Sequence, residues 1–375
     1  MTHAIIINHH QLFLPGVRDL IKSIERDENF EVLYWKKSKI TDGKKANWSS
    51  VSLLGNFQSL DSTQFQPQHK QDDDLIKFWS ELRLPRIWIC FMIDIHIGLN
   101  GMCFGKATNN KLDAKVLIPN FFDAIAWSNE HTYFNYISNN NPENVWNYRK
   151  NVAWETRNYL VKLFNSRLDF PWAVDVIQYK EKKLKKYDLC IPGAQYPARI
   201  RFEETLKGKL KLAPIQKSDK NLIQTLSYLA KLFPFIKSNH ISLKARLREI
   251  NMNRFLMLSK FAFTDGGTYL DYFVRKYLEI PVSGAVLICK PTESLKMYGF
   301  KKDFHFLSIE AFLANKNDLD TLHFKFRNNL EIAQQLLHKN HSFEQRINQL
   351  KSFLNLLTTH GESRGYFFDG DFILS

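Results

Sequence analysis

Between Lys260 and Pro291 the chain reads KFAFTDGGTYLDYFVRKYLEIPVSGAVLICKP, an order of pieces that leaves few folds open. Phe261-Ala262-Phe263 is a short apolar run with strand character. Thr264-Asp265-Gly266-Gly267-Thr268 is a tight turn, and its glycine pair lets backbone come close to a ligand. Tyr269, Tyr272, Phe273, Lys276 and Tyr277 recur at spacings of three and four, which predicts a helix from Tyr269 to Leu278 that closes at Glu279-Ile280-Pro281. Gly284 then precedes a second strand, Ala285 to Cys289. The result is a β-turn-α-β unit with a carboxylate near each end of its helix. Sheets of this kind bind their ligands, nucleotides among them, at the carboxyl ends of parallel strands.

The start of the chain has the same grammar. Ala4-Ile5-Ile6-Ile7 is a buried-strand pattern followed by His9 and His10. Val17, Leu20, Ile21 and Ile24 line one face of a helix, and Phe30 to Trp35 is a second strand. This βαβ opening predicts a doubly wound α/β domain. His9 and His10 fall on the loop after the first strand and are candidates to hold an acceptor. Arg86 to Ile97 reads as another strand. Alternation places Asp94 and His96 on one face near its end, where a carboxylate and an imidazole can serve as a base and its orienting partner. Asn144 to Asn165 reads as a helix carrying Glu155, a candidate acid; an exposed salt-bridging Glu is the plainer reading.

A chain of 375 residues suits two domains better than one core. The charge run YKEKKLKKY, Tyr179 to Tyr187, marks the boundary. The expected division is 1–180, 181–340, and a C-terminal helix and tail at 341–375 that pack back on the first domain. In the second domain, Leu210 to Pro214 reads as a strand, Asn221 to Phe233 and Ser242 to Met257 as helices. Leu319 to Leu337 and Ser342 to Leu357 read as two terminal helices, with an aromatic tail after them.

At Asp265-Gly266-Gly267 and Glu279-Ile-Pro-Val-Ser-Gly284 the sequence resembles the donor-binding half of GT-B glycosyltransferases. In many retaining members an acid followed by Gly opens a helix, and a second acid near its end precedes a small-residue turn and a strand. Here the spacing is looser and Asp stands for the usual Glu. The wording YFVRKYLEIP…G is most similar to bacterial surface-polysaccharide transferases, including those that use CMP-Kdo (the cytidine nucleotide of 3-deoxy-manno-octulosonate). The resemblance covers about Tyr187 to His341. It implies a GT-B fold of two Rossmann-like domains facing a cleft, with C-terminal helices crossing back to the first domain. It also implies retaining transfer of a sugar, Kdo first among them, to a lipopolysaccharide or capsule glycan.

By that resemblance Glu279 would contact the donor ribose. Asp265 would contact the sugar, orient the acceptor or act as nucleophile, although Asp is also a good helix N-cap. Gly266, Gly267 and Tyr269 would line the donor site. Arg199 and Arg201 are candidates for the donor phosphate or carboxylate, since a guanidinium fork pairs with two oxygens at once. Lys276, Lys290 and His305 complete the donor set. No DxD loop in a suitable place argues for a metal, and Asp369-Gly-Asp371 lies in the tail, so no cofactor is expected beyond the nucleotide-sugar co-substrate.

A net charge of +14 favours anionic partners: nucleotide phosphates, acidic or lipid-linked glycans, or an anionic membrane face. It would also suit nucleic acid, but the Lys and Arg are scattered and no recognition motif accompanies them, so no nucleic-acid partner is expected. Four cysteines without CxxC spacing argue against zinc and suit a reducing cytoplasm. The apolar run Ile87 to Leu99 falls short of the roughly 20 residues that span a bilayer, which leaves at most a peripheral membrane contact. A UDP- or GDP-sugar donor, or a non-catalytic binding protein of the same shape, are the readings that stand beside CMP-Kdo.

Overall fold

The computed structural model describes residues 2–8, 15–35, 48–54, 87–92, 123–127, 158, 160–175, 184–193, 197–215, 221, 223–226, 228, 240–265 and 273–375. The statements that follow concern these residues. They form two sheets. In the first, β1 (His3–Asn8) lies between β2 (Phe30–Trp35) and β3 (Ser50–Leu54). β4 (Ile87–Met92), β5 (Ala124–Trp127) and β6 (Arg167–Asp169) follow in order, all parallel. The order 2-1-3-4-5-6 reverses at β1, so the crevice at the carboxyl ends of β1 and β3 is the switch point of a doubly wound sheet.

The second sheet runs β7 (Tyr187–Cys190), β8 (Ser259–Phe263), β9 (Val286–Cys289), β10 (Leu307–Ser308), again parallel. Central strands buried on both faces read as continuous apolar runs, and β9, Val-Leu-Ile-Cys, is buried at every position. The Leu210 to Pro214 stretch is a single bridge, Leu189 to Leu212, on the outer edge of β7 rather than a full strand. Asp188 N–H donates to Lys211 O, and Ala213 N–H donates to Leu189 O.

α1 (Pro15–Ile24) buries Val17, Leu20, Ile21 and Ile24 against the first sheet. α2 (Pro197–Leu206) follows β7, and α3 (His240–Met257) delivers the chain to β8. α4 (Lys276–Val282) starts at Lys276, with Phe273 to Arg275 outside it, so Glu279 falls in its first turn and not at its end as the sequence pattern has it; Pro281 lies inside its last turn, and the helix runs past the expected close. The reason is the stop that comes afterwards. Gly284 sits at φ +78, Gly284 N–H donates to Pro281 O and Ala285 N–H to Ile280 O, the paired bonds of a Schellman cap.

After α5 (Glu293–Met297) and α6 (Ile309–Ala314), the single helix expected from Leu319 to Leu337 is two. α7 (Leu319–Lys325) and α8 (Arg327–Asn340) meet at Phe326. The bend takes the chain from one core to another: Leu319 and Phe326 pack on one face of the second sheet, Leu337 on the other.

α9 (Phe343–His360) then crosses back. Ser342 caps its start and Gly361, at φ +80, its end. Phe343, Ile347, Leu350, Phe353, Leu354 and Leu357 join the core of the first sheet. Burying each such side chain contributes about 1.5–3 kcal/mol. The tail is a hairpin, β11 (Arg364–Phe368) and β12 (Asp371–Leu374), turned on Asp369-Gly370 with both residues at positive φ (47° and 90°). Asp-Gly is the sequence signature of this tight turn. β11 pairs with β6, so the chain's last residues extend the first sheet.

Candidate functional site

The two domains touch near the start of α1. α1 begins just past the end of β1, and at its first turn Gly16 leaves room that a Cβ would fill. A methyl there would stand 2.6 Å from the Trp172 ring and 3.0 Å from the Arg275 guanidinium. Arg275 precedes α4 in the second domain. The start of α1 and the start of α4 are therefore packed side by side.

On the second-domain side, Arg199 is the hub. It lies on α2, buried at 5% exposure. Its Nε donates to Asp265 Oδ1 at 2.6 Å, Nη2 to Thr264 Oγ1 at 3.1 Å and to Asp265 O at 3.2 Å, and Nη1 to Pro192 O at 3.2 Å. One guanidinium thus ties the turn after β7 to the turn after β8. Gly193, at φ +96, admits it: a Cβ there would stand 2.6 Å from Nη1. Arg199 and Asp265 are brought together, but as an ion pair that sets the carboxylate in place.

Lys276 and Glu279 are also brought together. Glu279 is 1% exposed; one oxygen takes Arg275 Nε at 2.8 Å and the other takes Lys276 Nζ. Burial alone would raise this carboxyl, but the Lys276 ammonium and the Arg275 guanidinium outweigh it and hold it below its ordinary value. Arg201 and Lys290 are exposed, the first on α2 and the second just past β9. His305 is buried and committed locally: its Nδ1 accepts from Lys301 N–H, and the ring packs edge-on against Phe300 and Phe304. Burial, aided by the Lys301 charge, keeps it neutral by lowering its pKa. His9, His10, Asp94, His96, Glu155, Gly266, Gly267 and Tyr269 lie outside the described residues.

Several cleft residues have no signal in the sequence. Arg18 on α1 donates to Glu249 on α3 at 2.7 Å, and Arg275 Nη2 reaches Asp19 at 3.3 Å and Glu249 at 3.6 Å. These charges are 231 and 256 residues apart in the chain, and each alone reads as a solvated surface group. A second set of contacts joins the two domains through buried groups. Tyr298 O–H, in the second domain, donates to the Asp169 carboxylate at the end of β6 (2.9 and 3.0 Å to its two oxygens). His341 Nε2–H donates to Tyr298 O, and its Nδ1 accepts from fully buried Arg346, whose guanidinium also stacks over Phe367 at 5.1 Å. Among the described residues no cluster of three or more His, Cys, Asp or Glu could hold a metal ion, and no helix is long and apolar enough to cross a membrane.

The overall fold is shared with solved structures. A sucrose-phosphate synthase from Thermosynechococcus elongatus superposes over 96% of this chain and 100% of its own, with a TM-score of 0.50 and 9% identity. Anabaena HepE in complex with UDP-glucose covers the same shares at a TM-score of 0.50 and 10% identity. The fold is GT-B. At these identities the likeness is one of architecture: two Rossmann-like domains, a cleft between their strand ends, and a C-terminal helix that returns to the first domain. No family model matches the sequence, and no curated protein matches it.

Proposed function

We propose that this chain transfers a sugar from a nucleotide-sugar donor to an acceptor held in the cleft. The observation that carries the reading is the contact of Gly16 with Arg275, which brings the start of α1 beside the start of α4 and next to Glu279. Open α/β sheets bind their ligands beyond the carboxyl ends of their strands, where α1 begins. Glu279 is the donor-ribose contact: an ionised carboxylate has about four acceptor sites, and Lys276 Nζ uses one of them while Arg275 stands beside it as an ion-pair partner. Because it is 1% exposed, the ribose reaches it as Lys276 swings from carboxylate to phosphate.

Lys276, Lys290 and Arg201 supply positive charge for the leaving nucleotide. Asp265, fixed by Arg199, faces the transferred sugar. His9, His10, Asp94, His96 and Glu155 are the first-domain candidates for acceptor binding and proton transfer, and Gly266, Gly267 and Tyr269 complete the donor side. The outcome on this reading is retention, without a metal.

HepE holds UDP-glucose, which favours a uridine donor. The segment YFVRKYLEIP…G favours CMP-Kdo and a lipopolysaccharide or capsule acceptor, lipid-linked and met at the membrane face. Free, buried Cys90, Cys190 and Cys289 suit a reducing cytoplasm. The test is turnover, read as nucleotide release from UDP- and CMP-sugars with an acceptor glycan present. Asp265→Asn should cut it by about 100-fold or more while the protein still melts cooperatively. If Asp265→Asn lowers the melting temperature but leaves turnover intact, Asp265 is only a tether for Arg199.

A further inference from the structure

Six charged side chains from three helices form one chain of contacts across the cleft: Arg18 and Asp19 on α1, Glu249 on α3, and Arg275, Lys276 and Glu279 at α4. The first five are 12–19% exposed and Glu279 is 1% exposed. Partly buried ion pairs return little net stability, because desolvation offsets their attraction. What they do supply is geometry, since each partner must sit where the others expect it.

Arg275 is the shared member. Its Nε lies 2.8 Å from a Glu279 oxygen as an ion pair, while its Nη2 donates to Asp19 at 3.3 Å and lies 3.6 Å from Glu249. The guanidinium is planar and rigid, so fixing one end fixes the other. Gly16, with its missing side chain, lets that plane lie against the first turn of α1.

We propose that Asp19 and Arg275 are a positioning pair: the first domain, through Asp19, orients the Arg275 fork, and the fork orients the Glu279 carboxylate toward the donor, which Asp19 itself never touches. This rests on Glu279 being the donor contact. The pairing makes donor binding in the second domain depend on a residue of the first. Arg18 still bridges to Glu249 at 2.7 Å and Glu249 still lies 3.6 Å from Arg275 Nη2, so removing the Asp19 charge takes away one anchor of the Arg275 fork without untying α1 from α3.

The experiment is a double-mutant cycle on the full chain, with UDP and CMP as probes and affinity read by calorimetry. Asp19→Asn should weaken binding of the recognised nucleotide about 3- to 10-fold, Arg275→Gln at least as much, and the double variant no more than Arg275→Gln alone. Arg275→Lys, which keeps the charge but loses the fork, should not restore affinity. Melting curves confirm that each variant is folded; Asp19→Ser stands in if Asp19→Asn is not. Unchanged affinity in Asp19→Asn, or losses that simply add, overturns the positioning pair while leaving the nucleotide site in place. If the wild-type chain binds neither nucleotide, the donor reading of Glu279 falls and takes the pair with it.

Discussion

His341 shows how one buried side chain writes a pH dependence into the fold. It is fully buried, and its two nitrogens are spoken for, one donating to Tyr298 O and one accepting from Arg346. Burial, and then the Arg346 charge, lower its pKa from 6.5 to about 3. Unfolded chain takes up the proton below about 6.5, whereas the fold resists until about 3, so stability is complete above that window and drains away as pH falls through it. His341→Asn keeps a donor and an acceptor but cannot titrate. Its melting temperature should fall less between about pH 7 and 5 than that of the wild type. Some slope will remain, since burial also lowers His3, His305 and His323. Equal slopes in the two proteins would show that His341 does not carry this term. The sequence offers no hint of it: a lone His between Asn340 and Ser342 has no pattern, and its partners lie 43 residues away and five residues ahead.

At the level of elements, what was legible in the sequence is what period and punctuation decide. The apolar face of α1 and the unbroken runs of β1, β4 and β9 are each written in a handful of consecutive residues. The misreadings come from long-range packing that overrides local pattern. Leu319 to Leu337 has enough helical spacing for one element, yet two cores on opposite faces of the second sheet bend it at Phe326. The tail carried its own signal, Asp369-Gly370 between aromatic residues, and it is a hairpin whose turn reaches the second domain. Gly370 N–H donates to Met297 O, and Gly370 lies against Gly299, where a Cβ would meet its Cα at 2.8 Å. Gly299 is also at φ +86, so both conformation and space demand glycine. Gly299→Ala should destabilise the protein by about 1–3 kcal/mol in denaturant titration. A loss no larger than that of an exposed alanine substitution would mean the turn is not seated there.

For the whole molecule, two βαβ grammars in one chain made a doubly wound α/β protein legible, and the resemblance at Asp265-Gly266-Gly267 and Glu279 to Gly284 supplied GT-B. Half of the candidate site is made of residues the sequence singled out, and the structure pairs Arg199 with Asp265 and Lys276 with Glu279. The other half, Gly16, Arg18, Asp19, Glu249 and Arg275, exists only once the domains are together, because its members come from α1, α3 and the start of α4. Sequence spacing carries no trace of a contact between sheets. We propose that a nucleotide-sugar donor occupies this cleft with its ribose on Glu279, and a crystal structure of the chain with UDP or CMP decides it. Nucleotide density is expected beyond the ends of β7, β8 and β9, with ribose hydroxyls within hydrogen-bond distance of the Glu279 carboxylate and Lys276 turned toward phosphate. A nucleotide seated elsewhere, or bound in the cleft with Glu279 still closed between Arg275 and Lys276, rules the placement out.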